Sequence, residues 1–323
     1  MTRRLAAVTG ATGFLGRHLV RTLADDGWDV RILARRDPIH PLWRGLQPQL
    51  ALGDLGDADA LARLCAGADA VFHCAGLIKA RNRGEFEAVN VEGARRLARA
   101  VRVAAPLARM VAVSSLAARE PQLSDYAASK RAGEAAALDA LDGRATIARP
   151  AAVYGPGDLE TLRLFQAAAT SPVLPLLDPR ARTAVVHGAD AARQIVALAQ
   201  GEPAGRTFTV CDGRPEGYDW RELMHTAAAA CGSRPRLLRA PGRALAPAAT
   251  LTDWTAKLFG TATMLTPGKL RELTHLDWSV PPHEIDPARP PPAYDLRSGF
   301  EHTVSWYRSV GWLQQRQQNA THM

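Results

Sequence analysis

The stretch Val8-Thr9-Gly10-Ala11-Thr12-Gly13-Phe14-Leu15-Gly16 constrains this chain more than any other. It follows a β-rich run, Leu5 to Thr9, and leads into a helical pattern from Leu15 to Asp26. Each glycine at such a junction has its own physical reason. Gly10 permits the tight turn, Gly13 lets a pyrophosphate approach the backbone, and Gly16 lets helix pack closely on strand. The helix start adds unpaired N–H groups and the positive end of its dipole. The G-x-x-G-x-x-G spacing therefore predicts a dinucleotide loop, with Thr12, Phe14 and Leu15 at the same ligand.

Beyond this loop the chain keeps alternating. β-rich runs at Asp29 to Ala34, Ala70 to Cys74, Arg109 to Ser114 and Ala145 to Arg149 are separated by helical patterns at Ala58 to Cys65, Val91 to Ala105 and Ser124 to Leu141. That order predicts an α/β fold, a Rossmann-type doubly wound parallel sheet. After Pro150 the texture loosens into proline turns, beginning at Tyr154-Gly155-Pro156-Gly157. The expected division is a dinucleotide-binding domain over 1–154 and a smaller, mostly C-terminal α+β substrate lobe over 155–323. One strand-then-helix segment, about 183–200, is expected to return to the first domain. Pro287 to Pro292 reads as an extended linker before an amphipathic helix carrying Val304, Trp306, Tyr307 and Trp312.

Composition narrows the function. With 323 residues, 47% of them hydrophobic, the chain can bury a large core. Its net charge of +8 is carried by arginines scattered along an alanine-rich chain, so nucleic-acid binding is not expected. The stretch Ala244 to Leu265 is apolar but interrupted by Pro247, Asp253 and Lys257, so no integral membrane span is expected. Trp254 and Phe259 within it read as core or as the lining of an apolar pocket. Cys65, Cys74, Cys211 and Cys231 show neither a CxxC pair nor metal-ligand spacing, and with no leader-like apolar segment they suggest reduced thiols in the cytoplasm.

The chemistry is expected at Tyr126-Ala127-Ala128-Ser129-Lys130. Four residues apart on a helix, tyrosine and lysine share a face. A phenol ionises near pH 10, and a neighbouring ammonium favours its phenolate. At the end of the second strand, where a carboxylate would bind the ribose of NAD, the chain has Ala34-Arg35-Arg36. Arg35 first, then Arg36, favours NADP(H) over NAD(H), with Asp37 the opposing feature.

Several further motifs in order make the chain similar to the extended short-chain dehydrogenase/reductases, the NAD-dependent epimerase/dehydratase superfamily. They are Asp54-Leu55 on the adenine side, His73-Cys74-Ala75-Gly76 beside the cofactor, Asn90-Val91-Glu92-Gly93, Val113-Ser114-Ser115, and Arg149-Pro150-Ala151-Ala152-Val153-Tyr154. The resemblance implies that Tyr126 exchanges a proton with the substrate oxygen, that Lys130 lowers the phenol's pKa and holds the nicotinamide ribose, and that Ser115 hydrogen-bonds the reacting oxygen. Ser114 is the alternative serine. It also places Cys74, Ala75, Gly76, Asn90, Val113, Pro150, Ala151 and Val153 at the cofactor. His187 and Asp190, in the segment Val185 to Ala192, read as a structural histidine or ligand contact and as a helix cap.

Two departures point away from sugar chemistry. Ser115 and Tyr126 are only eleven residues apart, and Leu116-Ala117-Ala118 stand where dehydratases of the family place an acid. Leu265 to Lys269 and Asp277-Trp278-Ser279 resemble the hydroxysteroid dehydrogenase and ketone reductase branch. The expectation is hydride transfer between the nicotinamide and a carbonyl or secondary alcohol of a small-molecule substrate. A nucleotide-sugar epimerase or dehydratase and a non-catalytic cofactor-binding scaffold or redox sensor are the alternatives. A homodimer is compatible with all three.

Overall fold

The computed structural model describes residues 3–38, 40–200, 205–240, 247, 250 and 266–314. Trp254 and Phe259 lie outside the described residues. Seven parallel strands form the main sheet: β1 (Leu5–Thr9), β2 (Asp29–Ala34), β3 (Gln49–Leu52), β4 (Ala70–His73), β5 (Arg109–Val113), β6 (Thr146–Pro150) and, after an excursion, β11 (Thr207–Val210). Their order is β11-β6-β5-β4-β1-β2-β3, so the direction of winding reverses between β1 and β4. A crevice opens at the carboxyl ends of strands at such a reversal.

Burial on both faces explains why the strands read as continuous apolar runs: β4 and β6 are buried at every position. On one face α1 (Phe14–Asp25) contributes Leu19, Val20 and Leu23 to the core. On the other, α2 (Ala58–Cys65) contributes Leu61 and Leu64. The same face takes Leu97 and Val101 from a helix built of α3 (Arg83–Phe86), a π-helical turn (Glu87–Glu92) and α4 (Gly93–Ala104), and Ala137 from α5 (Asp125–Ala140).

Three elements differ from the sequence expectation. β3 is an additional strand, and as a four-residue sheet edge with mixed exposure it gives little alternation to read. The helix expected from Val91 starts at Arg83, where the Asn82 side chain accepts from Glu85 N at 3.1 Å. β11 adds a seventh strand, parallel to β6.

Between β6 and β11 the chain forms β7 (Ala152–Tyr154), α6 (Leu162–Thr170), β8 (Val173–Leu176), β9 (Arg182–Thr183), β10 (Val185–His187) and α7 (Gly188–Leu198). β10 pairs in parallel with β7, and α7 packs Ala191, Ile195 and Val196 into the same core as α1. After β11 come β12 (Tyr218–Asp219), α8 (Trp220–Cys231), β13 (Arg236–Arg239), α9 (Pro267–Thr274), β14 (Asp277–Trp278) and α10 (Leu296–Ser309). A further core joins Tyr154, Phe165, Leu223, Phe300, Val304 and Tyr307. No described helix is long and apolar enough to cross a membrane.

Asp190 and His187 fix the segment before α10. Asp190 is not the cap of α7; its buried carboxylate accepts from Ala293 N and Tyr294 N at 3.0 and 2.9 Å. The cap is His187, whose Nδ1 accepts from Ala189 N at 3.3 Å while its ring stacks on Tyr294 and its Nε2 meets His302 Nδ1 at 3.2 Å. His187 is therefore structural. Burial, then His302 and His18, depress its pKa to about 3; burial also takes His18 to about 4, and burial with the nearby Lys130 takes His73 to about 3.

In the unfolded chain these imidazoles titrate near about pH 6.5. Folded values below unfolded ones mean that the unfolded state binds more protons on acidification. The stability they contribute is complete above about pH 6.5 and is lost as pH falls from there toward about 3. The thermal midpoint is expected to drop continuously over that window, and a midpoint that stays level to about pH 5 would contradict this account.

Candidate active site

The glycine loop is shaped as its spacing predicts. Gly10 has φ +69°, and a Cβ there would collide with the backbone of Ala75 and Cys74. A Cβ on Gly16 would strike the Gly10 carbonyl. α1 begins at Phe14 with Gly13 as its N-cap and no side-chain cap, so its first N–H groups stay available to an anion. Thr12 and Gly13 are exposed and Phe14 and Leu15 half-buried at this opening.

Across the crevice, the end of β4 forms a ledge. Thr9 Oγ1 meets His73 Nδ1 at 2.8 Å and accepts from Ala75 N at 3.4 Å. At Gly76 an added Cβ would sit 3.1 Å from Asn90 Oδ1 and 3.4 Å from Lys130 Nζ, so the glycine keeps open a slot beside that ammonium. The open helix terminus and this slot fit the pyrophosphate and ribose of a dinucleotide. Cys74 is half-buried, with burial pushing its thiol up to about 11 against the pull of Lys130.

The other residues expected at the cofactor have these places in the chain. Asn90 sits in the π-helical turn and spends its amide on the chain: Oδ1 accepts from Leu77 N at 2.7 Å, and Nδ2 donates to Leu77 O and Ser129 Oγ at 3.0 and 2.9 Å. Its amide holds the ledge in place. Val113 points its side chain into the core and offers its carbonyl to Lys130 Nζ at 2.8 Å. Pro150 and Ala151 are buried at the end of β6, with Val153 half-buried on β7. Asp54 accepts from Gly56 N at 2.7 Å, and Leu55 packs against Gly93. Arg35 and Arg36 are exposed and form no ion pair with a described residue.

Tyr126 and Lys130 occupy one face of α5, and the Phe86 ring lies 6.1 Å from the phenol ring. Ser115 caps the short 3-10 turn Leu116–Arg119, accepting from Ala117 N at 3.2 Å, and its hydroxyl lies near enough to the phenol to favour the phenolate. Ser114 Oγ is buried and partnerless among the described residues, so Ser115 is the serine that acts on Tyr126. The net direction at the phenol is upward, to about 12: burial and the charge of Glu272 outweigh the Ser115 hydroxyl. The lowering that the resemblance assigns to Lys130 is not what prevails. Burial in turn lowers the Lys130 ammonium.

Glu272 escaped the sequence reading. It is 5% exposed, accepts from Ser124 Oγ, and takes Lys269 Nζ at 2.8 Å. Arg119 reaches the same C-terminal segment, donating to the carbonyls of Asp277 and Ser279. The local signal was Lys269-Leu270-Arg271-Glu272, an i, i+3 pair just after Pro267, but nothing in it points toward Ser124.

Similarity to known proteins agrees with this geometry. The chain matches the NAD dependent epimerase/dehydratase family over residues 6–211. It is 51% identical over 314 residues to ceramide reductase of Caulobacter vibrioides (strain NA1000 / CB15N), covering 96% of each chain. It is 31% identical over 228 residues to the 4-hydroxy-2-methyl-3-oxo-4-farnesyl-3,4-dihydroquinoline-1-oxide ketoreductase of Stigmatella aurantiaca, covering 64% of this chain and 68% of that one. In fold it is similar to DesIV, the dTDP-glucose 4,6-dehydratase of Streptomyces venezuelae, solved with NAD and TYD bound. The TM-score is 0.73 at 24% identity, over 96% of this chain and 99% of that one.

Proposed function

Because the chain belongs to the NAD-dependent epimerase/dehydratase family, we propose that this NAD(P)-dependent oxidoreductase reduces the ketone of a ceramide-like lipid with NADPH. The observation that carries this reading is that Tyr126 and Lys130 stand one turn apart on α5, with the Lys130 ammonium beside the open slot at Gly76 and Ser115 near the phenol. The substrate class rests on the 51% identity to ceramide reductase across nearly all of both chains.

A bound NADPH would supply the hydride. Tyr126 delivers the proton to the carbonyl oxygen, Ser115 hydrogen-bonds that oxygen, and Lys130 holds the ribose. Residues 1–154, with the returning segment 183–200 and β11, form the cofactor side, and 155–323 otherwise forms mainly the substrate lobe. All four cysteines are unpaired thiols, which supports the cytoplasm as the place of work.

Incubation with a ketone-bearing ceramide is expected to consume NADPH in a one-to-one ratio with alcohol formed. Turnover of nucleotide sugars with no net absorbance change, and none of the lipid, would overturn the reading. The preference for NADPH is assigned to Arg35, helped by Arg36, since charge-assisted contacts to phosphate contribute about 1.5–3 kcal/mol. Arg35→Ala should weaken NADPH binding by at least about tenfold and leave NADH nearly unchanged in a fluorescence titration. Equal affinities of the wild type for both cofactors would refute the assignment.

A further inference from the structure

Tyr126 lies two residues into the helix whose N-cap is Ser124, and Ser124 Oγ does two jobs. It accepts from Ala127 N at 3.0 Å and donates to the carboxylate of Glu272, which arrives on α9 from 148 residues away in sequence. That carboxylate is buried, and Lys269 Nζ pairs with its other oxygen at 2.8 Å. Arg271, on the same helix, binds the Leu123 carbonyl at 2.8 Å. A charged group from the far end of the chain is thus fixed against the start of the catalytic helix.

The groups around the phenol have distinct effects. Lys130 on its own helix directs a hydrogen bond to Val113 O. From the 3-10 turn, the Ser115 hydroxyl favours the phenolate, while Arg119 is taken by the carbonyls of Asp277 and Ser279 and lies 3.8 Å from Glu120. The α3 and π-helical segments present Phe86 and exposed pairs, Arg81–Glu85 and Arg83–Glu87, that neutralise one another at the surface. Cys74 at the end of β4 holds its proton. Glu272 remains as the buried negative charge facing the helix start.

We propose that Glu272 is a positioning residue for Tyr126, anchoring the start of the catalytic helix through Ser124 and keeping the phenol protonated as a proton donor. The proposal rests on the reading of Tyr126 as the acid–base group. In carbonyl reduction a bound NADPH would supply the hydride that forms the new C–H bond. The π electrons of the carbonyl move to oxygen and take the phenol proton, and the phenolate is reprotonated from solvent. A carboxylate that disfavours the phenolate preserves the donor into alkaline conditions, and the phenol's upward direction, in which the charge of Glu272 takes part, agrees. The same carboxylate slows alcohol oxidation, which needs the phenolate as base.

Glu272→Gln tests this in the full-length chain, because glutamine keeps an acceptor for Ser124 and removes only the charge. With ceramide and NADP+ as probes, the rise of kcat with pH should move to lower pH by on the order of one unit, so oxidation at a fixed pH becomes faster while KM changes little. Independently of catalysis, the onset of phenol titration, read from the 13Cζ resonance assigned with Tyr126→Phe, should come at lower pH. Glu272→Asp should restore the wild-type profile at least in part. Ser124→Ala should lower the thermal midpoint by removing the cap and, by releasing Glu272 from the helix start, should move the titration in the same direction as Glu272→Gln but by less. A Tyr126 resonance unaltered in Glu272→Gln, or one that Glu272→Asp leaves as displaced as Glu272→Gln does, would overturn the proposal. Failure of the underlying reading would look different: Tyr126→Phe would keep its turnover whatever the titration shows.

Discussion

Tyr126→Phe is expected to lower ketone reduction by about 10²–10⁴-fold, the usual contribution of a general acid, while cofactor affinity stays close to wild type. The substitution removes only a hydroxyl from a ring packed beside Phe86, so the helix and the slot at Gly76 should persist. Lys130→Ala should damage both turnover and cofactor binding, since its ammonium borders the slot and binds Val113 O. Ser115→Ala should slow chemistry with little loss of binding, and Ser114→Ala should be the lesser lesion because its hydroxyl makes no contact with the phenol. Single-turnover rates and cofactor titrations on the four variants separate these effects. A Tyr126→Phe protein with near wild-type turnover would reduce the dyad to a helix surface.

The second large effect concerns stability. Arg149 on β6 and Glu134 on α5 form a bidentate pair at 2.7 and 2.6 Å with side chains only 8% and 5% exposed. Breaking a buried pair from one side strands the other charge, at a cost of about 3–5 kcal/mol. Glu134→Ala is therefore expected to lose that much in urea denaturation, since it leaves the Arg149 guanidinium buried without its carboxylate and also removes the partner of Arg131, 3.6 Å from Glu134 at the surface. The double variant Glu134→Leu/Arg149→Met should recover much of the loss, because no uncompensated charge remains. A loss below about 1 kcal/mol for Glu134→Ala would mean that the guanidinium finds water or another partner.

What the sequence made legible was local. The glycine loop, the strand–helix alternation and the Tyr126–Lys130 dyad each depend on neighbours within a few residues, where periodicity and turn chemistry carry the signal. Glu272 and Arg119 depend on chain brought together from about 150 residues away, and their flanking residues look like an ordinary solvated helix and turn. His187 and Asp190 drew notice for their type. Their partners, Tyr294 and His302 for one and two backbone amides for the other, lie more than a hundred residues later. Ser115 and Ser114 were adjacent candidates in sequence, and only the three-dimensional contact with the phenol distinguishes them.

The late arrival of β11 bears on how the protein can be made. Every residue assigned to the chemistry has left the ribosome by about the middle of translation, yet β6 then has a bare edge, because its outer neighbour is Thr207–Val210. The apolar side of α1 is uncovered too, since α7 spans Gly188–Leu198. An unpaired strand edge beside exposed apolar surface invites pairing with another chain. Polysome crowding and premature termination are therefore the hazards of this topology, and a chaperone that shelters the nascent sheet until Val210 emerges would protect it during synthesis.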